Sequence, residues 1–420
     1  MNIINGDCLE ELKKLEDNSV DAVITDPPYG LSNTKPQQVA DVLKAWVTGD
    51  TVSVTAKRGG FMGKDWDSFV PPPAVWEECM RVLKPGGHMA VFAGARTQDL
   101  MGLSIRLAGF EIRDTLGWVY GSGFPKSQNI ARQLDKTLGE DVPIGKSFNT
   151  AGGGDRESEF ANNGRSEAHK QWSPMSDAAK QWDGWGTALK PAIEPIILAR
   201  KPLDGTVANN VLAHGVGGLN IDACRVSANQ PLVRPSISRD DNDVFGKGLG
   251  AGVQEEPAGR FPANVLLDEH AAKEMDKQSG VSVSRAGGMS GDRKSGHIAN
   301  EGGARGLAER GGHNDSGGAS RFFPVFKYQA KAPKKERPVI EREDGTKIQH
   351  PTVKPLALLE WLVELITPPG GVVLDPFAGS GTTLQAAINK GFTPIGIEQD
   401  ADYIKLIEKR LEATCTTHKN

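Results

Sequence analysis

The tetrapeptide Asp26-Pro27-Pro28-Tyr29 stands directly after the apolar run Val20-Asp21-Ala22-Val23-Ile24. The run reads as a buried strand, so a hydrogen-bond acceptor, two residues of fixed φ and an aromatic face are gathered at a strand end. A proline-stiffened turn with a packed tyrosine would use the same residues. The second constellation is LDPFAGSGTT, Leu374 to Thr383, where Asp375, Pro376, Phe377, Gly379, Ser380 and Gly381 lead from a strand end through a glycine turn into a helix starting near Thr382. Glycines allow backbone to approach a ligand closely and the first helical N–H groups point at it, so a nucleotide-like ligand is expected. The pattern is neither G-x-G-x-x-G nor G-x-x-x-x-G-K-[ST], which disfavours a dinucleotide or a triphosphate. Glu398 closes the next strand about twenty residues on, where a carboxylate either accepts from a ribose diol or caps the following helix. Asp7, between the strand Asn2-Ile3-Ile4 and a helix from Leu9, faces a similar choice between helix cap and acceptor for an adenine amino group.

Alternating strands and helices must position these residues. In the first block a helix is expected over Leu9–Leu15, a strand over Val20–Thr25, a helix over Pro73–Leu83 stopped by KPGG, a strand over His88–Ala93, a helix over Thr97–Ala108 and a strand over Ile112–Tyr120. The chain then turns polar and glycine-rich from about Gly121 to Pro191, with Trp182 and Trp185 either wedging into a partner or stapling a loop core. One clear strand, EPIILARKPL, separates this stretch from a second irregular region, about Asp204 to Ser320, whose glycine content cannot build a dense core. The last block reads KPLALLEWLVELI as a helix, GVVLDPF as a strand, GTTLQAAINKG as a helix, TPIGIEQ as a strand and ADYIKLIEKRLEA as a helix. The alternation predicts a doubly wound, mostly parallel sheet.

The 420 residues carry a formal charge of −4, so a polyanion partner would need a local basic surface. Arg321, Lys327, Lys331, Lys334, Lys335 and Arg337, interleaved with Phe322, Phe323, Phe326 and Tyr328, form one such strip, readable either as a solvated linker or as phosphate contacts. Four cysteines without a CxxC pair argue against a disulfide framework or structural zinc and fit a reducing, cytoplasmic compartment. No window approaches the length of a membrane span, and His214 and His270 lack metal-ligand spacing.

Taken together, the motifs resemble those of the S-adenosylmethionine-dependent DNA amino-methyltransferases, which methylate N6 of adenine or N4 of cytosine. DPPY resembles their catalytic motif IV, DPFAGSGTT their motif I, HPTVKP (His350 to Pro355) their motif X, and Asn5-Gly6-Asp7 their acidic adenine loop; the order places the chain in the β group. The resemblance implies a Rossmann-like class I methyltransferase fold: a permuted, seven-stranded, mostly parallel sheet with one antiparallel strand at its edge and a large irregular insertion for target recognition. It implies a base-binding half in residues 1–203, with a polar insertion about 126–190, a target-recognition region at 204–321, a cofactor-binding half at 322–412 and a tail at 413–420. S-adenosylmethionine would be held by Asp7, Cys8, Thr352, Lys354, Asp375, Pro376, Phe377, Gly379, Ser380, Gly381, Thr382 and Glu398, with Thr352 and Lys354 nearest its methionine end and no metal required; Lys354, at a helix start, could equally lie on the surface.

The same resemblance gives Asp26-Pro27-Pro28-Tyr29 a task. An aromatic amino group is a poor nucleophile because its lone pair is delocalised into the ring. Asp26, ionised and an acceptor only, and the Pro27 carbonyl can take both of its N–H groups, favouring a tetrahedral nitrogen whose lone pair points at the sulfonium methyl. Pro27 and Pro28 fix the aim of that carbonyl. Tyr29 would stack on a base extruded from the duplex, offsetting a cost of a few kcal/mol with roughly 1–3 kcal/mol. Double-stranded DNA is the implied partner, at the nucleoid, and a homodimer is open; a cognate restriction nuclease is not inferable. Aspartate as the first residue of the motif is commoner in the adenine enzymes and serine in the cytosine enzymes, so adenine is expected, with cytosine N4 and RNA or protein amides as alternatives.

Overall fold

The structure, a computed structural model, describes residues 2–31, 34–52, 67–121, 123, 127–140, 142, 172–228, 259–284, 288–289, 309–310, 315–326 and 337–417. It divides into two compact units, one formed by Met1–Ser122 with Ile193–Asn420 and the other by Gly123–Ala192.

The first unit is built on strands β1 (Asn2–Asn5), β2 (Val20–Thr25), β3 (Leu83–Phe92), β4 (Glu111–Val119), β5 (Ile193–Arg200), β6 (Val265–Asp268), β7 (Val325–Phe326), β8 (Val372–Asp375) and β9 (Thr393–Glu398). They form one sheet in the order β1-β9-β8-β2-β3-β5-β4-β6-β7. The first and last blocks of the chain therefore complete a single sheet, as a permuted order requires. Every pairing is parallel except those of β5 with β3 and β4. The expected seven strands are present, but the antiparallel strand is not at the edge: it lies one place in, covered on both sides. Its run Pro195–Arg200 is buried throughout, and a strand so apolar is best satisfied with partners on both edges. Beyond β4, β6 and β7 extend the sheet to nine strands.

Both faces of the sheet are covered, which explains the continuous apolar strands. After the short α1 (Cys8–Leu12), the helices on one face are α3 (Pro73–Val82) and α4 (Gln98–Leu107), where Trp76, Met101 and Ile105 are fully buried and pack with Val23, Met89 and Val91. Their alternates Ala22, Ile24, Ala90 and Phe92 pack against α9 (Leu356–Ile366) and α10 (Thr382–Asn389). The helix expected to end at Leu83 ends at Val82, and β3 begins there rather than at His88. Val20 faces Leu83 while Ala22 faces His88, so KPGG forms a bulge inside the strand, with Gly86 at φ +77°. Among the described residues of this unit, three α-helices were not anticipated: α2 (Pro36–Val47), α7 (Val207–His214) and α8 (Glu269–Ser279). With β6, the last two give ordered structure to part of the region expected to be irregular.

In the second unit, α5 (Ile130–Thr137) and α6 (Asp177–Gln181) are joined through Asp135, whose carboxylate accepts from Met175 N at 2.9 Å and from Ser176 N and Oγ at 3.0 and 2.7 Å. Trp182 and Trp185 meet edge to face at 5.0 Å and are 39% and 59% exposed. Among the described residues no helix is long and apolar enough to cross a membrane.

Candidate active site

β8 and β2 are neighbours, with Val373 beside Ala22 and Leu374 beside Val23, so the turns after them open at the same end of the sheet. A buried hydrogen bond ties the two strand ends together: Thr25 Oγ1 donates to Asp375 Oδ1 at 2.7 Å. Asp375 also accepts from Phe377 N at 3.1 Å. Burial nonetheless pushes its carboxyl up to about 6.

The glycine turn closes through Ala378 N to Ile397 O at 2.9 Å and Gly381 N to Ala378 O at 2.7 Å. Gly379 and Gly381 have φ of +53° and +77°, a region that side chains with a Cβ occupy only under strain. A Cβ at Gly379 would lie 3.0 Å from His350 Nε2, and one at Gly381 would lie 3.0 Å from Ile407. Behind the turn, buried Arg410 of α11 (Ala401–Thr417) donates from Nε to Ser380 O at 2.7 Å and from Nη1 to Gln385 Oε1 at 2.8 Å. Thr382 opens α10 and is buried with Ser380.

Glu398, at the end of β9, accepts from Gly379 N through Oε2 and from Asp400 N through Oε1, each at 2.8 Å. It thus braces the glycine turn and holds the connection into α11. Burial pushes its carboxyl up to about 7. β1 brings the acidic loop alongside: Asn5 is the register partner of Glu398, and Gly6 N donates to Glu398 O at 3.0 Å. Of the roles open to Asp7, the structure displays the helix cap of α1, with Oδ1 accepting from Leu9 N and Glu10 N at 3.0 and 3.3 Å. Burial and neighbouring Asp7 push the Cys8 thiol up to about 12, which makes it a packing residue of the loop and a poor nucleophile.

After β2, the Asp26 turn holds a dense polar cluster. Tyr29 Oη lies 2.7 Å from Asp26 Oδ1 and 2.8 Å from Glu194 Oε1. Lys354 Nζ lies 3.1 Å from Asp26 Oδ1 and 2.9 Å from both Glu194 Oε1 and Tyr29 Oη. The Lys354 side chain is 12% exposed, so the surface alternative for it is set aside, while Thr352, two residues earlier, is exposed. Two carboxylates hold the Lys354 ammonium firmly protonated despite its burial, and burial with those same charges raises the Tyr29 phenol well above its usual range. The loop path is fixed from outside: Thr97 Oγ1 donates to Tyr29 O at 2.6 Å, and Gly30 N donates to buried Asp67 Oδ1 at 2.8 Å.

Sequence reasoning did not assign roles to Glu194, Asp67, Thr25, Arg410 or His350. Glu194 opens an antiparallel strand, so its position coincides with the carboxyl ends of β2 and β3. A carboxylate at the start of the run EPIILAR was the available signal. His350, edge-on to Tyr403 at 4.7 Å with Nδ1 2.5 Å from Thr352 O, packs the HPTVKP segment onto the glycine turn, and its burial lowers its pKa to about 4. In the expected basic strip, Lys327, Lys331, Lys334 and Lys335 lie outside the described residues. The Arg321 guanidinium is engaged internally, donating from Nη1 to the Gly317 and Gly318 carbonyls at 2.6 and 2.8 Å and stacking on Phe322 at 4.3 Å. Arg337 begins the segment running to α11.

A glycine turn and an acid–tyrosine turn side by side at the carboxyl ends of two parallel strands define an α/β enzyme that binds a ligand across the top of its sheet. The profile of the DNA methylase family N6_N4_Mtase matches residues 20–409. The chain belongs to this family of S-adenosylmethionine-dependent DNA amino-methyltransferases. It is 23% identical to the Type II methyltransferase M.HindIII of Haemophilus influenzae over 97% of this chain and 94% of that protein. A 63-residue stretch is 51% identical to the DNA adenine methyltransferase YhdJ of Escherichia coli, covering 15% of this chain and 21% of that one. Among solved structures, the M1.HpyAVI–SAM complex aligns over 98% of both chains at 16% identity and a TM-score of 0.38.

S-adenosylmethionine fits the residues present. Each Glu398 oxygen retains a lone pair beyond its backbone donor, and acidic loops suit a cationic sulfonium nucleoside. Among the described residues no group of three or more His, Cys, Asp or Glu is placed to hold a metal ion.

Proposed function

We propose that the protein methylates N6 of an adenine flipped out of duplex DNA. The observation that carries this reading is the placement of Asp26 and Tyr29 at the end of β2, bonded through Thr25 to the Asp375 turn of the adjacent strand. The cofactor supplies an electrophilic methyl group on a sulfonium. Asp26 accepts one N–H of the target amine and the Pro27 carbonyl the other, so the nitrogen lone pair is released from the ring. Tyr29 provides the face on which the extruded base stacks. Glu398 receives the ribose hydroxyls and the Asp7 loop lies beside the adenine moiety, while the Gly379 turn admits the methionine side. Aspartate at the head of the tetrapeptide supports adenine over cytosine, as does the local likeness to the DNA adenine methyltransferase YhdJ. The region 204–321 would contact DNA beyond the flipped base, and the basic residues Lys327, Lys331, Lys334, Lys335 and Arg337 its phosphates.

The test is transfer of isotope-labelled methyl groups to unmethylated mixed-sequence DNA, followed by nucleoside digestion and mass spectrometry. Label in N6-methyladenine is expected. Label in N4-methylcytosine would keep the site chemistry and overturn the base, whereas no label in DNA would overturn the reading.

Glu398 gives this site a pH dependence. Its carboxyl, pushed up to about 7, is a full acceptor only above that pH, so lowering the pH from 8 to 6 adds a proton where ribose hydroxyls must donate. Cofactor affinity, read by calorimetry, should weaken by roughly 3–10-fold over that interval. Glu398→Gln should bind more weakly at pH 8 and lose most of the dependence.

A further inference from the structure

The Lys354 ammonium has three N–H donors and three polar partners: Asp26 Oδ1 at 3.1 Å, Glu194 Oε1 at 2.9 Å and Tyr29 Oη at 2.9 Å. The single phenolic proton of Tyr29 is likewise set between Asp26 Oδ1 and Glu194 Oε1, at 2.7 and 2.8 Å. Asp26 and Glu194 thus compete for the same two donors. The ammonium sits 4.8 Å from the Phe92 ring centroid and 5.3 Å from that of Tyr29, so it is walled by aromatic faces as well as by acids.

We propose that Glu194 is a positioning residue for the transfer reaction: it draws the Lys354 ammonium and the Tyr29 hydroxyl away from Asp26, leaving the Asp26 carboxylate an effective acceptor for the target amine. The inference rests on the methyltransferase reading above. Without Glu194, the buried ammonium keeps Asp26 as its one carboxylate partner among the described residues, beside the Tyr29 hydroxyl, and a carboxylate so neutralised is a weak acceptor for an amino group. The charge balance points the same way. One ammonium between two carboxylates leaves the cluster with a net negative charge, which opposes the positive charge that develops on a methylated nitrogen before its proton leaves. With one carboxylate removed, that balance falls to zero. The position of Glu194 follows from the fold: β5 runs against its neighbours, so its first residues reach the end of the sheet where β2 delivers Asp26.

The experiment compares wild type, Glu194→Gln, Glu194→Asp, Lys354→Met and the Glu194→Gln/Lys354→Met double variant. Each is measured by labelled methyl transfer to DNA, cofactor calorimetry and thermal melting. Glu194→Gln is expected to lower kcat by roughly 10–100-fold with cofactor Kd changed less than about three-fold. Glu194→Asp, which keeps the charge at shorter reach, should recover part of the loss. Because Glu194 acts through Lys354, the double variant should be no slower than Lys354→Met alone. Multiplying losses, unchanged kcat in Glu194→Gln, or a kcat loss that tracks only a lowered melting temperature overturns the proposal. If wild type labels DNA and Glu194→Gln matches it, the inference falls and the functional reading stands; if wild type labels no DNA, both fall.

Discussion

Asp26→Ala should abolish methyl transfer, by roughly 10³-fold or more, while cofactor affinity stays within about three-fold of wild type. The carboxylate lies outside the glycine turn and contacts Tyr29 and Lys354 rather than any residue of the Gly379–Glu398 brace. Its removal would strip the target amine of one of the two acceptors proposed for it. The Lys354 ammonium retains Glu194 and Tyr29, so the cluster keeps a paired cation and the fold is expected to persist. Labelled transfer and calorimetry on the same preparation separate the two effects. A variant that lost cofactor binding along with activity would show that Asp26 belongs to the cofactor site.

The converse is expected at Asp375. Replacing it with alanine removes the acceptor for Thr25 Oγ1 and Phe377 N, and each buried donor left without a partner costs about 1–3 kcal/mol. The adjoining glycine turn loses its anchor to β2. Cofactor Kd should rise by about 30-fold or more and the melting temperature should fall, whereas kcat at saturating cofactor should drop far less than in Asp26→Ala. Retained binding with lost turnover would exchange the roles of the two aspartates. Asp375→Asn, which keeps one acceptor oxygen, should fall between.

Parts of the molecule governed by short-range physics could be read from its residues. Val20–Thr25 and Val372–Asp375 announce themselves as buried strands because they are apolar almost without interruption, and the residues just beyond them carry a chemistry concentrated within a few positions. The parallel sheet follows from the alternation of such strands with helices such as Leu356–Ile366. Glu194 was invisible for the opposite reason. Its neighbours Tyr29 and Lys354 lie 165 and 160 residues away, and its one local signal, an acid at the head of an apolar run, does not say which residues it meets. Asp67 is similar: its task is to hold the Gly30 backbone 37 residues upstream. The extension of the sheet beyond β4 begins with Val265–Asp268, four residues too short to be weighed as a strand, yet placed to cover the outer edge of β4.

The pairing of Asn2–Asn5 with Thr393–Glu398 has a bearing on how the enzyme comes into being. During synthesis the first strand emerges from the ribosome with no edge to join, and its partner is made almost four hundred residues later. At about 5–20 residues per second this is a delay of roughly 20–80 s. Val20–Thr25, Leu83–Phe92, Glu111–Val119 and Ile193–Arg200 can pair with one another in the interval, but the glycine turn and its acidic brace cannot. The half expected to receive the base is therefore able to assemble while the half expected to receive the methyl donor is still being translated. An interrupted chain would carry the first without the second.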